Sequence, residues 1–134
     1  GMIDRKWGRV VNITSASVRS PIAQLGLSNS ARAGLTGYVA GTARQVAQHG
    51  VTINNLLPGL HDTDRALSLA QAAANREGVS LEVAEEARNS ANPTGRIGTP
   101  QEFGATCAFM CSVHAGFMVG QNILLDGGSF NSTT

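Results

Sequence analysis

Short apolar runs alternate with longer alanine-rich and leucine-rich segments along this chain. Three of the runs are rich in Val, Ile, Leu and Thr and are closed by small polar residues, proline or glycine, which is typical of buried strands. These runs are residues 8–15, 51–57 and 121–126. We therefore predict three strands, and the second must stop at Pro58-Gly59 because proline cannot donate a ladder hydrogen bond.

The segments between these runs predict helices. Gly50 is suited to a left-handed helix cap after a long segment without proline. Thr99, Pro100 and Glu102 together match a capping box. In this motif the threonine is the N-cap, proline follows it, and the glutamate side chain accepts a hydrogen bond from the backbone N–H of the N-cap residue. The predicted helices are residues 24–49, 64–76, 80–89 and a fourth that starts after Thr99 and runs through Cys111.

Strands that alternate with helices indicate a parallel α/β sheet with right-handed crossovers. The 134 residues contain no internal repeat or linker, so we expect one unit over residues 1–134. In open parallel sheets, ligands bind beyond the carboxyl ends of the strands. Candidate functional residues should therefore follow the first strand, at Thr14 and Ser15, and the second strand, at Pro58 and Gly59.

Composition narrows the classes of function. Apolar residues make up 42% of the chain, charged residues 14%, and the formal net charge is +1, which does not suit an electrostatic nucleic-acid binder or a disordered tail. Aromatic residues are scarce at 4%, which disfavours a base-stacking surface. We find no membrane span or signal-peptide pattern, so we expect a cytoplasmic protein that binds small molecules or other protein chains.

The two cysteines, Cys107 and Cys111, share one face of the fourth predicted helix. We identify no His, Asp or Glu at ligand spacing around them, so the sequence predicts no metal site. We interpret both residues as buried core thiols.

Five short motifs occur in order across nearly the whole chain. Each motif is weak alone, but their order and spacing resemble the C-terminal half of the short-chain dehydrogenase/reductase family. The resemblance implies a partial Rossmann-like, doubly wound fold with three mostly parallel strands and flanking helices, and a lid-like segment at about 60–97. The motifs are Asn12-Ile13-Thr14-Ser15, Ser28-Asn29-Ser30-Ala31-Arg32, Asn55 through Thr63, Gly95 through Glu102, and Gly120-Gln121 with Asp126-Gly127-Gly128.

The same resemblance implies hydride transfer between NAD or NADP and a carbonyl or alcohol carbon. In the family, a serine and a tyrosine contact the substrate oxygen. A lysine four residues after the tyrosine holds the nicotinamide ribose and lowers the pKa of the tyrosine. The implied catalytic residues of this chain are Ser15, Ser28 and Arg32, and the implied cofactor-binding residues are Arg32, Pro58, Gly59 and Thr63.

Ser28 and Arg32 depart from the tyrosine and lysine of the family. A serine hydroxyl is a weaker acid than a phenol and is shorter by a ring, whereas arginine keeps the charge with a forked geometry. Tyr38 lies further along the same predicted helix and faces elsewhere, so it is a poor substitute. His61 is a better candidate for the proton donor, although a solvent-facing loop histidine is the simpler interpretation.

The glycine-rich phosphate-binding turn of the family has no counterpart in this sequence. We therefore expect weak or absent binding of NAD or NADP by this chain alone, and impaired turnover. The first strand should form an exposed sheet edge. The helix at 24–49 contains Gly34, Gly37 and Gly41, whose small size favours a homo-oligomer through this helix. Two alternatives stay open: a non-catalytic oligomerising or partner-binding remnant, and one half of a split enzyme completed by a partner chain that carries the dinucleotide-binding half.

Overall fold

The computed structural model describes residues 1–133, so Thr134 of the predicted single unit lies outside the described residues. Three strands, β1 (Gly8–Ile13), β2 (Val51–Pro58) and β3 (Asn122–Leu125), form one sheet in the order β1-β2-β3. Both strand pairs are parallel. The predicted α/β class is confirmed, and the strands are wholly rather than mostly parallel.

Within the described part of the chain, four α-helices connect and flank these strands. Their bounds, and those of the strands, differ from the predicted ones by no more than two residues. β1 ends before Thr14 because the Ser15 side chain caps a 3-10 turn instead of continuing the strand. The helices are α1 (Gly26–Ala47), α2 (Asp64–Glu77), α3 (Leu81–Ser90) and α4 (Pro100–Cys111), and the short 3-10 turns are Ala16–Val18, Ala23–Leu25 and Val113–Ala115.

Local sequence determines where the helices begin and end. The Glu102 N–H donates to Thr99 Oγ1 at 3.2 Å, and the Thr99 N–H donates to the Glu102 carboxylate at 2.8 Å, which completes the predicted capping box. Gly50 closes the turn after α1 with a φ of 72°. A Cβ at this position would lie 2.2 Å from the carbonyl oxygen of Lys6, so glycine is required there.

The core surrounds β2. Leu56 and Leu57 point to opposite faces of the sheet and are both fully buried, so β2 is covered on both sides. On one side α1 packs against β2 and buries Val39 and Ala43, whereas α4 packs against β1 and β2 and buries Met110. Helices α2 and α3 pack on each other.

Asparagine side chains join the three strands in register. Asn12 Nδ2 donates to Asn55 Oδ1 at 3.2 Å, and Asn55 Nδ2 donates to Asn122 Oδ1 at 2.7 Å. Asn54, which points to the other face, donates to the Met118 carbonyl at 2.8 Å. Because Asn54 and Asn55 are fully buried, these hydrogen bonds offset the cost of removing their amides from water.

β1 is an edge strand that pairs only with β2 within residues 1–133, as predicted. Ile13, at its carboxyl end, is 50% exposed. Within the same residues, no helix combines the length and the apolar character that a bilayer span requires.

The prediction of two buried core thiols is wrong for Cys111, which is exposed, and Cys107 is only partly buried. The core-facing residue near the end of α4 is Met110, and the next residue turns by about 100° around the helix axis, which carries Cys111 away from the sheet. Burial raises the pKa of the Cys107 thiol, and the nearby Cys111 raises it further.

Candidate active site

The six predicted site residues meet beyond the carboxyl end of the sheet. They line one cleft of about 640 Å³, which we call the Arg32 cleft. The loop after β1, the end of β2, the first two turns of α1 and the start of α2 each contribute to its wall. Its volume lies within the range of small-molecule sites, about 300–1,000 Å³. The six residues are Ser15, Ser28, Arg32, Pro58, Gly59 and Thr63.

Arg32 links α1 to the end of β1. Its Nη1 donates to the Thr14 carbonyl, and its Nε donates to Ser28 Oγ at 3.0 Å. Residues four apart lie on one face of a helix, so the predicted Ser28-x-x-x-Arg32 spacing brings these two side chains together. The partly buried guanidinium therefore places a fixed positive charge in the cleft.

Ser15 and Ser28 present their hydroxyl groups in similar ways. Ser15 Oγ accepts a hydrogen bond from the Ser17 N–H at 3.0 Å, and Ser28 Oγ accepts one from Arg32. Because each oxygen already accepts from an N–H group, each serine can donate its own hydroxyl hydrogen to a ligand. Two O–H donors beside a positive charge are suited to binding and polarising a carbonyl oxygen.

Gly59 has a structural role that sequence reasoning missed. Its N–H donates to the Leu125 carbonyl at 2.7 Å, and a Cβ at this position would lie 2.6 Å from the Cα of Asp126. The close approach of the chain after β3 therefore requires glycine here. The tight spacing holds Pro58 and Gly59 as one wall of the cleft.

Two threonines of the Arg32 cleft differ in their hydrogen bonds. Thr63 caps α2, since its Oγ1 accepts from the Ala66 N–H at 3.3 Å. Thr14 is 3% exposed, and its Oγ1 has no hydrogen-bond partner among the described residues. A buried hydroxyl without a partner costs free energy, and a polar ligand atom within reach would satisfy it. The sequence predicted Thr14 and Ser15 as candidate functional positions, but it did not predict that the Thr14 hydroxyl is buried without a partner.

His61 is not the solvent-facing loop histidine of the simpler interpretation. Its ring packs edge-on against Phe103, with 5.2 Å between ring centroids, and its Nδ1 lies 3.3 Å from the Gly59 carbonyl oxygen. Gly98 pairs with His61 in a short parallel bridge, and a Cβ at Gly98 would lie 2.7 Å from the imidazole Cδ2. His61 also lines the Arg32 cleft, but these contacts restrain its ring. Tyr38 is 68% exposed and lines no part of this cleft.

A second cleft, of about 530 Å³, adjoins the first, and we call it the Ser17 cleft. The two clefts share Ser15 and the Pro58-Gly59 wall. Residues that belong to the Ser17 cleft alone come from the 3-10 turn after β1 and from the segment after β3, and they include Ser17, Ser20, Asp126, Ser129, Phe130 and Asn131.

Residues 2–129 match a family model described as enoyl-(acyl carrier protein) reductase. The match covers nearly the whole chain and all six residues of the Arg32 cleft. The chain belongs to the short-chain dehydrogenase/reductase family.

Curated relatives of this short-chain dehydrogenase/reductase chain include named reductases. The acetoacetyl-CoA reductase of Cupriavidus necator is 35% identical over 130 residues, which cover 96% of this chain and 48% of the relative. The NADPH-dependent reductase BacG of Bacillus subtilis is 32% identical over 131 residues, which cover 98% of this chain and 51% of the relative. The chain thus spans about half the length of the curated relatives it matches.

Solved structures of the family agree with the fold. The crystal structure of YwfH, described as an NADPH-dependent reductase involved in bacilysin biosynthesis, has a TM-score of 0.89 at 31% identity, and the match covers 98% of this chain and 50% of that one. The actinorhodin polyketide ketoreductase with NADPH has a TM-score of 0.88 at 26% identity, over 98% of this chain and 51% of that one. The predicted Rossmann-like fold is confirmed.

Proposed function

We propose that this chain is the nicotinamide-binding and substrate-binding half of an NADP(H)-dependent reductase that acts on a carbonyl compound. The observation that carries the proposal is the single cleft in which Ser15, Ser28 and Arg32 meet the Pro58-Gly59 wall. The choice of NADP(H) over NAD(H) follows the matched reductase BacG, which is described as NADPH-dependent, and the matched actinorhodin polyketide ketoreductase, whose structure is described as containing NADPH. The phosphate-binding half would come from the same polypeptide or from a partner chain.

The residues of the Arg32 cleft fit the nicotinamide end of this cofactor. The unpaired Thr14 Oγ1 is a buried polar atom at the cleft wall, and Arg32 supplies a positive charge there. Arg32, Pro58, Gly59 and Thr63 would hold the nicotinamide and its ribose, and the bound nicotinamide would supply a hydride. The hydroxyls of Ser15 and Ser28 would donate to the carbonyl oxygen and stabilise the negative charge that develops on it.

Proton delivery in this reaction would be slow even with the cofactor bound. A guanidinium does not act as a general acid, and Ser28 lacks the acidity of the phenol that the family has at this position. His61 is the only histidine of the Arg32 cleft among the described residues, and its ring is held against Phe103. We therefore expect water in the cleft to protonate the product oxygen, with slow turnover.

A calorimetric titration tests the cofactor site directly. We expect this chain to bind NADPH and reduced nicotinamide mononucleotide with weak affinities that agree within about threefold, because it contacts only the part that both molecules share. Arg32→Gln should weaken the binding of both by roughly tenfold or more, since a hydrogen bond to a charged group is lost. Arg44→Gln, on the exposed side of the same helix, is the matched control. A folded chain that binds neither molecule saturably would contradict the proposal.

A second role, the formation of a homo-oligomer through α1, is favoured by the outer face of that helix. Gly34, Gly37 and Gly41 are exposed, and a Cβ added at any of them would meet nothing within 4 Å. Leu27 is 92% exposed and Tyr38 is 68% exposed. Each interior glycine costs up to about 1 kcal/mol of helix stability relative to alanine, and close packing of a second helix would offset this cost.

Light scattering tests this second role. Gly37→Leu would block the close approach of a second α1, so we expect it to shift an oligomer towards the monomer. Gly104→Leu, at an exposed glycine of α4 that also has open space around it, serves as the control and should leave the molar mass unchanged. A wild-type chain that stays monomeric at high concentration would rule the role out.

A further inference from the structure

The Arg32 cleft and the Ser17 cleft carry opposite charges. The charged residues that line the Arg32 cleft are Arg32 and Arg65, whereas the charged residue that lines the Ser17 cleft is Asp126, in both cases among the residues that the structure describes. A dinucleotide is anionic, so its charge matches the Arg32 cleft. If the cofactor binds in the Arg32 cleft, the adjoining Ser17 cleft is available to the substrate. Ser15 lines both clefts and lies where they join.

Ser17 differs from the other residues of the Ser17 cleft because its side-chain hydroxyl is buried and has no hydrogen-bond partner among the described residues. The residue is 3% exposed, and within residues 1–133 its Oγ has no hydrogen-bond partner. Its backbone N–H is used, because it donates to Ser15 Oγ at 3.0 Å. A buried hydroxyl without a partner destabilises the free protein, and a ligand that supplies a hydroxyl or carbonyl group removes this cost on binding. Ser17 therefore favours a ligand with a polar group beyond its reacting carbonyl.

Asp126 determines which charge that polar group can carry. Its Oδ1 accepts from the Gly128 N–H at 2.9 Å, and its Oδ2 accepts from the Phe130 N–H at 2.8 Å. These bonds hold the segment after β3 in place, and no ion pair of the described residues neutralises the carboxylate. A second carboxylate in the same cleft would be repelled. The apolar side chains of Ile22, Leu60 and Phe130 complete the lining.

We infer that the Ser17 cleft binds the part of the substrate beyond its carbonyl group, and that it selects a neutral, hydroxylated ketone over an unsubstituted ketone and over an oxo acid. Ser17 is the residue that determines this specificity. The inference rests on the proposed function, because it takes the Arg32 cleft as the cofactor site.

Three matched ketones test the inference without any cofactor: 5-hydroxy-2-pentanone, 2-pentanone and 4-oxopentanoate. Their binding to this chain would be followed by the backbone amide shifts of residues in the Ser17 cleft. We expect the hydroxyketone to bind roughly three- to tenfold more tightly than 2-pentanone, the gain from one hydrogen bond, and 4-oxopentanoate to bind most weakly. Ser17→Ala keeps the backbone N–H that Ser15 uses, so it should abolish the preference for the hydroxyketone and leave the affinity for 2-pentanone unchanged.

Two further variants test whether the preference depends on the Ser17 hydroxyl itself or on the loss of any buried, unpaired hydroxyl. Thr52→Val removes the unpaired hydroxyl of another residue that is 3% exposed, but Thr52 lines neither cleft, so the preference should persist. If Ser17→Ala fails to fold, Ser17→Cys keeps a side chain of similar size with only a weak donor and should also lose the preference. Equal binding of the three ketones, an unchanged preference in the Ser17 variants, or no response in the cleft would overturn the inference. Failure of the NADPH titration alone would instead count against the cofactor site.

Discussion

Arg32 Nε donates a hydrogen bond to Ser28 Oγ at 3.0 Å, and the same guanidinium donates to the Thr14 carbonyl. From the motif spacing, we infer that these two residues take the positions of the family's lysine and tyrosine. In this chain the basic side chain therefore also joins the start of α1 to the end of β1. A variant of Arg32 should affect stability as well as the proposed cofactor site.

We expect Arg32→Gln to lower the free energy of unfolding by about 1–3 kcal/mol, because partly buried hydrogen bonds from a charged donor are lost. Urea denaturation would measure the change. The control Arg44→Gln removes an exposed arginine of the same helix and should change the free energy by no more than about 0.5 kcal/mol. Equal effects of the two substitutions would show that the contacts of Arg32 contribute no stability.

Restoring the tyrosine and lysine of the family should not by itself produce an efficient enzyme. We expect the double variant Ser28→Tyr, Arg32→Lys to show no substantial oxidation of NADPH with a ketone, because the hydrogen bonds to the cofactor phosphates would come from the other half. The absorbance of NADPH would report the rate, with the unchanged chain as the control. Substantial turnover would mean that proton transfer, and not cofactor binding, limits this chain.

Because Gly98 lies against His61, we expect glycine-to-alanine changes at Gly98 and at Gly104 to have opposite effects on stability. Gly98→Ala would force the imidazole away from Phe103, so we expect a loss of about 1–3 kcal/mol of unfolding free energy. Gly104→Ala, in an α4 position with open space, should instead gain about 0.5–1 kcal/mol. Thermal unfolding would measure both variants. In a His61→Ala background the penalty at Gly98 should largely disappear, and its persistence there would contradict the steric explanation.

Glu102 should stabilise the fold in a defined range of pH. Hydrogen bonds from Arg96, then from the backbone and side chain of Thr99, lower the pKa of this carboxyl from 4.5 to about 2. Because the pKa is lower in the folded state, the ionised carboxylate stabilises the fold at pH values above its unfolded-state pKa. This stabilisation is lost as the pH falls towards 2. We therefore expect the difference in Tm between wild type and Glu102→Gln to be full above about pH 4.5 and to vanish near pH 2.

Circular dichroism at a series of pH values would give these Tm differences. Arg96 makes the largest contribution to the lowered pKa of Glu102, so an Arg96→Gln background should reduce the pH-dependent part of the difference. A difference that stayed constant down to pH 2 would show that the charge of Glu102 contributes nothing.

The two cysteines should react at different rates with a maleimide. Cys111 is exposed, whereas Cys107 is partly buried and its pKa is raised by that burial, so it holds less of the reactive thiolate. Mass spectrometry of the single variants Cys107→Ser and Cys111→Ser would assign the two rates. We expect the chain that retains Cys111 to be labelled faster, and the reverse order would contradict the orientation of α4.

Local sequence signals were enough to locate the helices and strands of this chain. The capping box of Thr99 and Glu102 and the left-handed Gly50 act within a few residues, so their effect does not depend on the rest of the fold. The spacing of Ser28 and Arg32 likewise places both on one face of a helix before any packing is known. The motifs of the family resemblance named six residues that line the Arg32 cleft, but these residues come from four separate elements and meet only in the assembled fold.

Contacts between distant segments decide the remaining features. The ring of His61 is restrained by Gly98 and Phe103, and Gly59 is required by the chain after β3, although none of these neighbours is near in sequence. The buried, unpaired hydroxyl of Ser17 has the same origin. A serine in a loop is ordinarily exposed, and only the arrangement of the segments around Ser17 buries its hydroxyl. Burial and pairing are properties of the assembled fold, and no local pattern of residues encodes them.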